Sequence, residues 1–206
     1  MDRIILMADI IDSRKKDSVQ LLDSFRNHVD ELNERFAKKL LSPLTITLGD
    51  EFQGIISSLK DAVQLVFNLE EAIVAAQDDY KLRYVIFEGS VETPLNQKSA
   101  HGMLGEGLTK AREKLNSMKE SDARVWVKLK DEAKTDALNN AFHLYTWLVD
   151  DWKVKDFEII STFWMYNDYK VVAEKLNKNI SLMWKREKSL NLREYHSIVG
   201  LIHYIV

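Results

Sequence analysis

The chain has no cysteine among its 206 residues. That excludes a disulfide framework, a thiolate metal site and a cysteine nucleophile. Two prolines and seven glycines leave little room for linkers or Gly/Pro-rich loops, and with 46% hydrophobic residues they exclude a disordered chain. Long apolar runs are missing too. The run that ends at Met7 is stopped by Asp9, too short for a signal-peptide core or a membrane span, so a cytoplasmic protein without membrane contact is expected. Strong charge of one sign is also absent. The net of −3 gives no whole-chain attraction to nucleic acid. Its distribution is uneven, however: residues 1–150 carry 20 Lys and Arg against 25 Asp and Glu, whereas residues 151–206 carry 9 against 7.

Arg3 to Ile11 is a nearly continuous apolar run and reads as a buried central strand. Val19, Leu22, Phe25, Val29, Leu32, Phe36 and Leu40 recur by threes and fours, which predicts an amphipathic helix ended by Pro43. Leu44–Leu48 and Phe52–Ile56 flank Gly49-Asp50-Glu51 and predict a β-hairpin. A second helix, Leu59–Gln77, places Ala62, Leu65, Val66, Leu69 and Ile73 on one face. Leu82–Phe87 predicts a fourth strand. The resulting order, β-α-β-β-α-β, is that of an α+β, ferredoxin-like palm. A loop with Pro94 and Asn96, the glycines Gly102, Gly105 and Gly107, a helix Leu108–Met118 and a strand Ala123–Leu129 complete a first unit over residues 1–130. Residues 131–206 read as all-helical, with Ala141, Leu144, Tyr145 and Leu148 sharing a face and Trp147 and Trp152 nearby.

The chemistry-bearing candidates are two acidic turns, Asp9 to Asp12 and Gly49-Asp50-Glu51. A ferredoxin-like sheet makes the first strand a neighbour of the hairpin, so the two turns can meet at one edge. Carboxylates from separate elements brought together repel unless a cation lies between them, and Mg²⁺ takes one or two carboxylates with phosphate oxygens and water. The equally weighted alternative is structural: Asp12, Ser13 and Asp17 cap the first helix and Asp50 is a turn residue. Gly105 and Gly107 could bring backbone amides to phosphates, or could simply serve a loop that needs positive φ. Lys110, Arg112 and Lys114 could neutralise a triphosphate, or form a solvated helix face. The five histidines show no metal-ligand spacing.

In the tail, Asp168 begins a helix with Val172, Ala173 and Leu176. Asn177-Lys178-Asn179 makes a turn, with Asn177 in the left-handed region, and Ile180–Lys188 forms a second helix. This predicts a helix-turn-helix unit over about 156–190, the small Ala173 letting the helices cross closely. Five basic residues and one acidic lie between Lys178 and Arg193. Ser181, Lys185, Arg186 and Lys188 are the side chains that would face DNA, although Arg186 stands where such motifs keep an apolar contact. A helical hairpin used for packing or dimerisation is the competing reading, and the run Phe163-Trp164-Met165-Tyr166 reads as core.

Met7-Ala8-Asp9-Ile10-Ile11-Asp12-Ser13 resembles the first metal-binding segment of class III adenylyl and guanylyl cyclases. Thr47-Leu48-Gly49-Asp50-Glu51-Phe52 resembles the second, and also the GGDEF signature of diguanylate cyclases with Leu48 in place of the first glycine. Over nearly its full length, through Asp-Ile-x-x-Ser-Arg, the Gly-Asp-Glu-Phe-Gln-Gly hairpin and the helical C-terminal part, the chain resembles the SatD family. The cyclase resemblance implies Mg²⁺ on Asp9 and Asp50 with the backbone carbonyl of Ile10, Asp12 and Glu51 as second choices, Gly49, Glu51, Gly105 and Gly107 near a nucleotide, and Arg112 at the transition-state position. Leu108 stands where cyclases place an Asn four residues before that Arg. What the resemblance implies is a nucleotide-responsive regulatory protein, with an active cyclase-type enzyme forming a phosphodiester, or a structural protein without nucleotide, as alternatives. It also implies the possibility of a homodimer.

Overall fold

A computed structural model describes residues 1–13 and 18–206. Arg14 of the first motif and the proposed cap Asp17 lie outside the described residues. The elements run β1 (Asp2–Ile10), α1 (Ser18–Arg35), β2 (Leu40–Thr47), β3 (Glu51–Ile56), α2 (Leu59–Ala75), β4 (Leu82–Ser90), α3 (Glu106–Ser117), β5 (Val125–Lys128), α4 (Glu132–Val149), α5 (Val154–Tyr166), α6 (Tyr169–Lys175), α7 (Ile180–Ser189) and α8 (Leu192–Ile205). The strands form one sheet in the order β2-β3-β1-β4-β5. All pairings are antiparallel except β4 with β5. The first four strands with α1 and α2 are the ferredoxin-like palm, and everything after β5 is helical.

The central position of β1 explains its unbroken apolar run, because both its faces are covered. Leu6, Ala8 and Ile10 face a core shared with α1 and α2, while Ile5 and Met7 face a second core under α3. Asp9 has the parity of the α3 side. In α1, Phe25, Val29, Leu32 and Phe36 are buried, but Val19 is 67% exposed, so the buried stripe starts later than its periodicity suggested. In α4 Ala141, Tyr145 and Leu148 are buried as expected, while Leu144 and Trp147 are exposed.

The first helix also ends earlier than expected. It stops at Arg35, a short 3₁₀ turn follows at Ala37–Lys39, and β2 starts at Leu40. Pro43 is thus inside a strand rather than behind a helix. An edge strand tolerates it because the register slips between Leu40 and Ser42 and again between Ser42 and Thr45, so the missing N–H breaks no regular ladder. The hairpin tip closes with Leu48 and Gly49 both at positive φ, +48° and +89°. Glycine adopts this freely, whereas leucine pays ~1–2 kcal/mol. Leu48 is also 87% exposed, so Leu48→Asn should raise stability by about 0.5–1 kcal/mol in thermal unfolding. An unchanged or lowered midpoint would show that the leucine has a contact that offsets its strain.

The C-terminal helices share the core of α2 through a chain of rings. Phe67 of α2 packs on Phe142 and Tyr145 of α4, Tyr145 on Tyr195 of α8, and Tyr195 on Trp152 and Trp164. Of the run Phe163–Tyr166, Phe163 is buried, but Met165 and Tyr166 are exposed, so only half of it is core. Asp168 caps α6 and Asn179 caps α7 through backbone amides. Asn177 takes the left-handed conformation expected for the turn between them. Beneath the rings lies an ionic knot. Arg124, just before β5, bonds both carboxylate oxygens of Glu70 in α2 and the carboxylate of Asp150 after α4, and Tyr84 donates to Glu70 at 2.9 Å. No described helix is long and apolar enough to cross a membrane.

Candidate functional site

Strand register builds the site. One row crosses the sheet on its α3 side: Arg83 of β4 is opposite Asp9 of β1, Asp9 is opposite Glu51 of β3, and Glu51 is opposite Thr47 of β2. Asp9 and Glu51 are 2% and 3% exposed. Adjacent buried carboxylates of this kind are costly without cations.

Three cations from different elements meet them. Arg83 Nη1 lies 3.4 Å from both Asp9 oxygens, and Lys119 Nζ lies 3.4 Å from Asp9 Oδ2. Arg112 donates to Glu51 and, at 2.9 Å, to Gln53 Oε1. The contacts to Asp9 are long for charge-assisted bonds, which run to about 2.7–2.9 Å. Burial accordingly raises the Asp9 carboxyl above its ordinary range, a rise that Arg83 and Lys119 oppose without cancelling.

The second acidic turn closes over the first. The Ile10 amide donates to the Asp50 carbonyl at 2.9 Å, and Ser13 Oγ donates to Asp50 Oδ2 at 2.6 Å. Together these residues line an open cleft of about 850 Å³, walled by Asp9, Ile10, Asp12, Ser13, Leu22, Leu48, Gly49, Asp50, Glu51, Arg83, Arg112, Asn116 and Lys119. Asp9, Ile10, Asp12, Gly49, Asp50, Glu51 and Arg112, singled out from separate stretches of sequence, are therefore brought to one place.

Sequence reasoning missed Arg83, Asn116 and Lys119. Asn116 and Lys119 follow Arg112 by four and seven residues, so a search of the same helical face beyond Arg112 could have found them. Arg83 had no local signal, because only the pairing of β4 with β1 places it there.

Other candidates lie elsewhere. Gly105 and Gly107 do not reach the cleft. Gly107 rests on β4, where an added Cβ would come within 2.8 Å of the Gly89–Ser90 backbone, and Ser90 is the far end of β4, opposite Asp2. The glycines serve close packing of α3 on the sheet. Lys110 pairs with Glu106 at 2.7 Å and Lys114 lies over the Trp126 ring, so of that cluster Arg112 alone lines the cleft. On α7, Arg186 is tied to Asp156 of α5, an ionic contact where an apolar one was expected. Lys188 sits 3.7 Å from the centre of the Trp184 ring, Ser181 Oγ bonds the Asn179 cap, and Lys185 is exposed.

Asp9 offers a fit for a cation, being buried and only loosely met by its present partners. Asp50 is one hydrogen bond away from the end of β1. No group of three or more His, Asp or Glu among the described residues could hold a metal alone. A hard divalent ion here would draw on Asp9, Asp50 and the Ile10 carbonyl and take its remaining oxygens from a ligand and water.

The SatD family profile matches residues 3–198. The chain belongs to the SatD family. No curated protein matches it in sequence. Among solved structures, this SatD-family chain is similar to a bacterial light-regulated adenylyl cyclase, with 13% identity, 61% of this chain and 74% of the other covered, and a TM-score of 0.43. A second such cyclase structure has 12% identity, covers 62% and 42%, and has a TM-score of 0.39. The catalytic core of a rhodopsin-guanylyl cyclase with converted specificity, in complex with ATPαS, has 13% identity, covers 61% and 76%, and has a TM-score of 0.37.

Proposed function

We propose that this SatD-family protein binds a nucleoside triphosphate together with Mg²⁺ in the cleft between β1, the hairpin tip and the end of α3, as the nucleotide-responsive half of a regulatory protein. The observation that carries this is the buried Asp9–Glu51 pair, ringed by Arg83, Arg112 and Lys119 and opened to solvent beside Asp50. Among the described residues the cleft has four carboxylates and three cations on its walls, which suits neither a simple anion nor a simple cation. It suits a ligand that brings both, such as a polyphosphate with its metal. Asp9 and Asp50 would hold the metal, which when bound would neutralise phosphate charge and lower the pKa of a bound hydroxyl. Arg112, oriented by Glu51 and Gln53, would face the phosphates.

Binding is favoured over turnover, because Arg112 is already engaged by Glu51 and Leu108 replaces the Asn of a cyclase. Arg186 and Lys188 are engaged within the helical part, so the binding role falls to the cleft. Titration of labelled ATP and GTP with and without Mg²⁺ should show metal-dependent binding to wild type, weakened about tenfold in Asp50→Ala, a change on the scale of losing one charged contact. Equal weak binding by both proteins, with or without Mg²⁺, would sink the reading. Chromatography of the incubated nucleotide separates a sensor, which returns it intact, from an enzyme.

A further inference from the structure

The two cations at Asp9 come from structurally different places, one mostly buried in the sheet and one half exposed at its rim. Arg83 is anchored in a central strand with its side chain 12% exposed. Lys119 stands on the 3₁₀ turn after α3 with its side chain 49% exposed. The Lys119 ammonium meets Asp9 at 3.4 Å and, among the described residues, makes no other ion pair or side-chain hydrogen bond. We propose that Lys119 is a built-in counter-ion: it occupies the charge of Asp9 while the cleft is empty, and turns to a phosphate of the nucleotide when a divalent ion takes that carboxylate.

This inference rests on the reading of the cleft as a metal–nucleotide site and assigns the regulation of that site. The physical reason is charge. Asp9 cannot stay ionised at 2% exposure without a positive neighbour. A metal ion arriving at the same carboxylate repels the ammonium. A half-exposed lysine has a flexible four-carbon stem and a point charge that re-aims without a preferred plane, which a buried arginine fork does not. Lys119 lines the same cleft as Asp9 and Asp50, so a triphosphate held there would offer it an anionic partner. Arg83, less exposed and bonded to both Asp9 oxygens, stays and holds the carboxylate in place. One side chain thus links the two ligands. Metal alone must compete with Lys119, whereas metal with triphosphate offers it a new partner, so the cleft favours the paired ligand over either component.

The prediction is therefore two effects of opposite sign from one substitution. Lys119→Gln should bind Mn²⁺ alone about tenfold more tightly than wild type, because a like charge has been removed from the metal site. It should bind Mn²⁺–ATP and Mn²⁺–GTP about tenfold more weakly, because a charge-assisted contact to phosphate has been lost. Free Mn²⁺ is read by its paramagnetic resonance signal, and nucleotide by fluorescence of a labelled analogue, so neither readout needs catalysis. Lys119→Arg should keep both affinities within about threefold, since charge is what matters.

If Lys119→Gln weakens both ligands or alters neither, while Asp50→Ala still weakens the metal, the counter-ion role is overturned and the site survives. If wild type and Asp50→Ala bind Mn²⁺ and nucleotide equally weakly, the site itself is overturned, and the inference with it.

Discussion

Asp9→Asn should give a protein that is more stable when empty and has lost its metal-dependent ligand. The carboxyl of Asp9 is raised above its ordinary range mainly by burial, so between that range and its raised value the folded protein holds a proton that the unfolded chain has released. Stability then falls as pH rises through this window, because the proton must be given up in the fold at a cost greater than in the open chain. At neutral pH the charge of Asp9 is a net burden on the unliganded fold, in spite of Arg83 and Lys119. Asparagine keeps the shape and stands for the protonated acid. Its thermal midpoint should match wild type at low pH, where Asp9 is itself protonated, and exceed it increasingly toward neutrality. Nucleotide affinity in the presence of Mg²⁺ should drop by about a hundredfold, the upper end of what is lost when groups supporting a bound metal are removed. A variant that is less stable than wild type at neutral pH would show that the cations satisfy Asp9 better than the long contacts imply. Retained affinity would remove Asp9 from the ligand set.

The second large effect concerns the fold. Arg124→Met should cost about 3–5 kcal/mol, the range for breaking a buried ion pair by deleting one partner, and lower the thermal midpoint by roughly 6–20 °C for a chain of this size. Arg124 has its side chain 5% exposed and Glu70 13% exposed. Burial alone would push the guanidinium down, but Glu70 and Asp150 together hold it above its usual range. Without it, Tyr84 is the one side chain among the described residues that still donates to the Glu70 carboxylate, and its charge is left stranded under the ring cluster. Adding Glu70→Gln to the same variant should therefore regain part of the loss. A double variant as unstable as the sum of the two single ones would mean that the residues do not act as a unit.

Much of this architecture was legible in the residues, for local reasons. The alternation of short apolar strands with helix-spaced faces yields the β-α-β-β-α-β order, Asp9, Asp50 and Glu51 stand out as charges interrupting apolar or glycine-bearing patterns, and Arg112 comes from a basic helical cluster and the cyclase resemblance. What local pattern cannot reach is pairing. Arg83 and Lys119 lie 74 and 110 positions from Asp9 in the chain, and only the antiparallel register of β1 with β4 and the packing of α3 under the sheet bring them near. Pro43 misled because a proline behind a helix and a proline in an irregular edge strand look alike in one dimension. Gly105 and Gly107 were equally ambiguous. A glycine that lets two backbones touch has the same letter as one that admits a phosphate, and the close approach to β4 gives these two a packing role.

The row Arg83–Asp9–Glu51–Thr47 also bears on how this sheet finds its correct alignment. Side chains alternate between the two faces, so a slip of one residue in β1 would send Asp9 into the apolar layer under α1 and α2, far from every cation that tolerates it. Mispaired sheets would bury a bare charge; the native one alone gives that charge company. The same polar residues proposed to receive a ligand therefore act, during folding, as a proofreading mark. An insertion or deletion of a single residue within β1 would be rejected at assembly before any loss of binding could be observed.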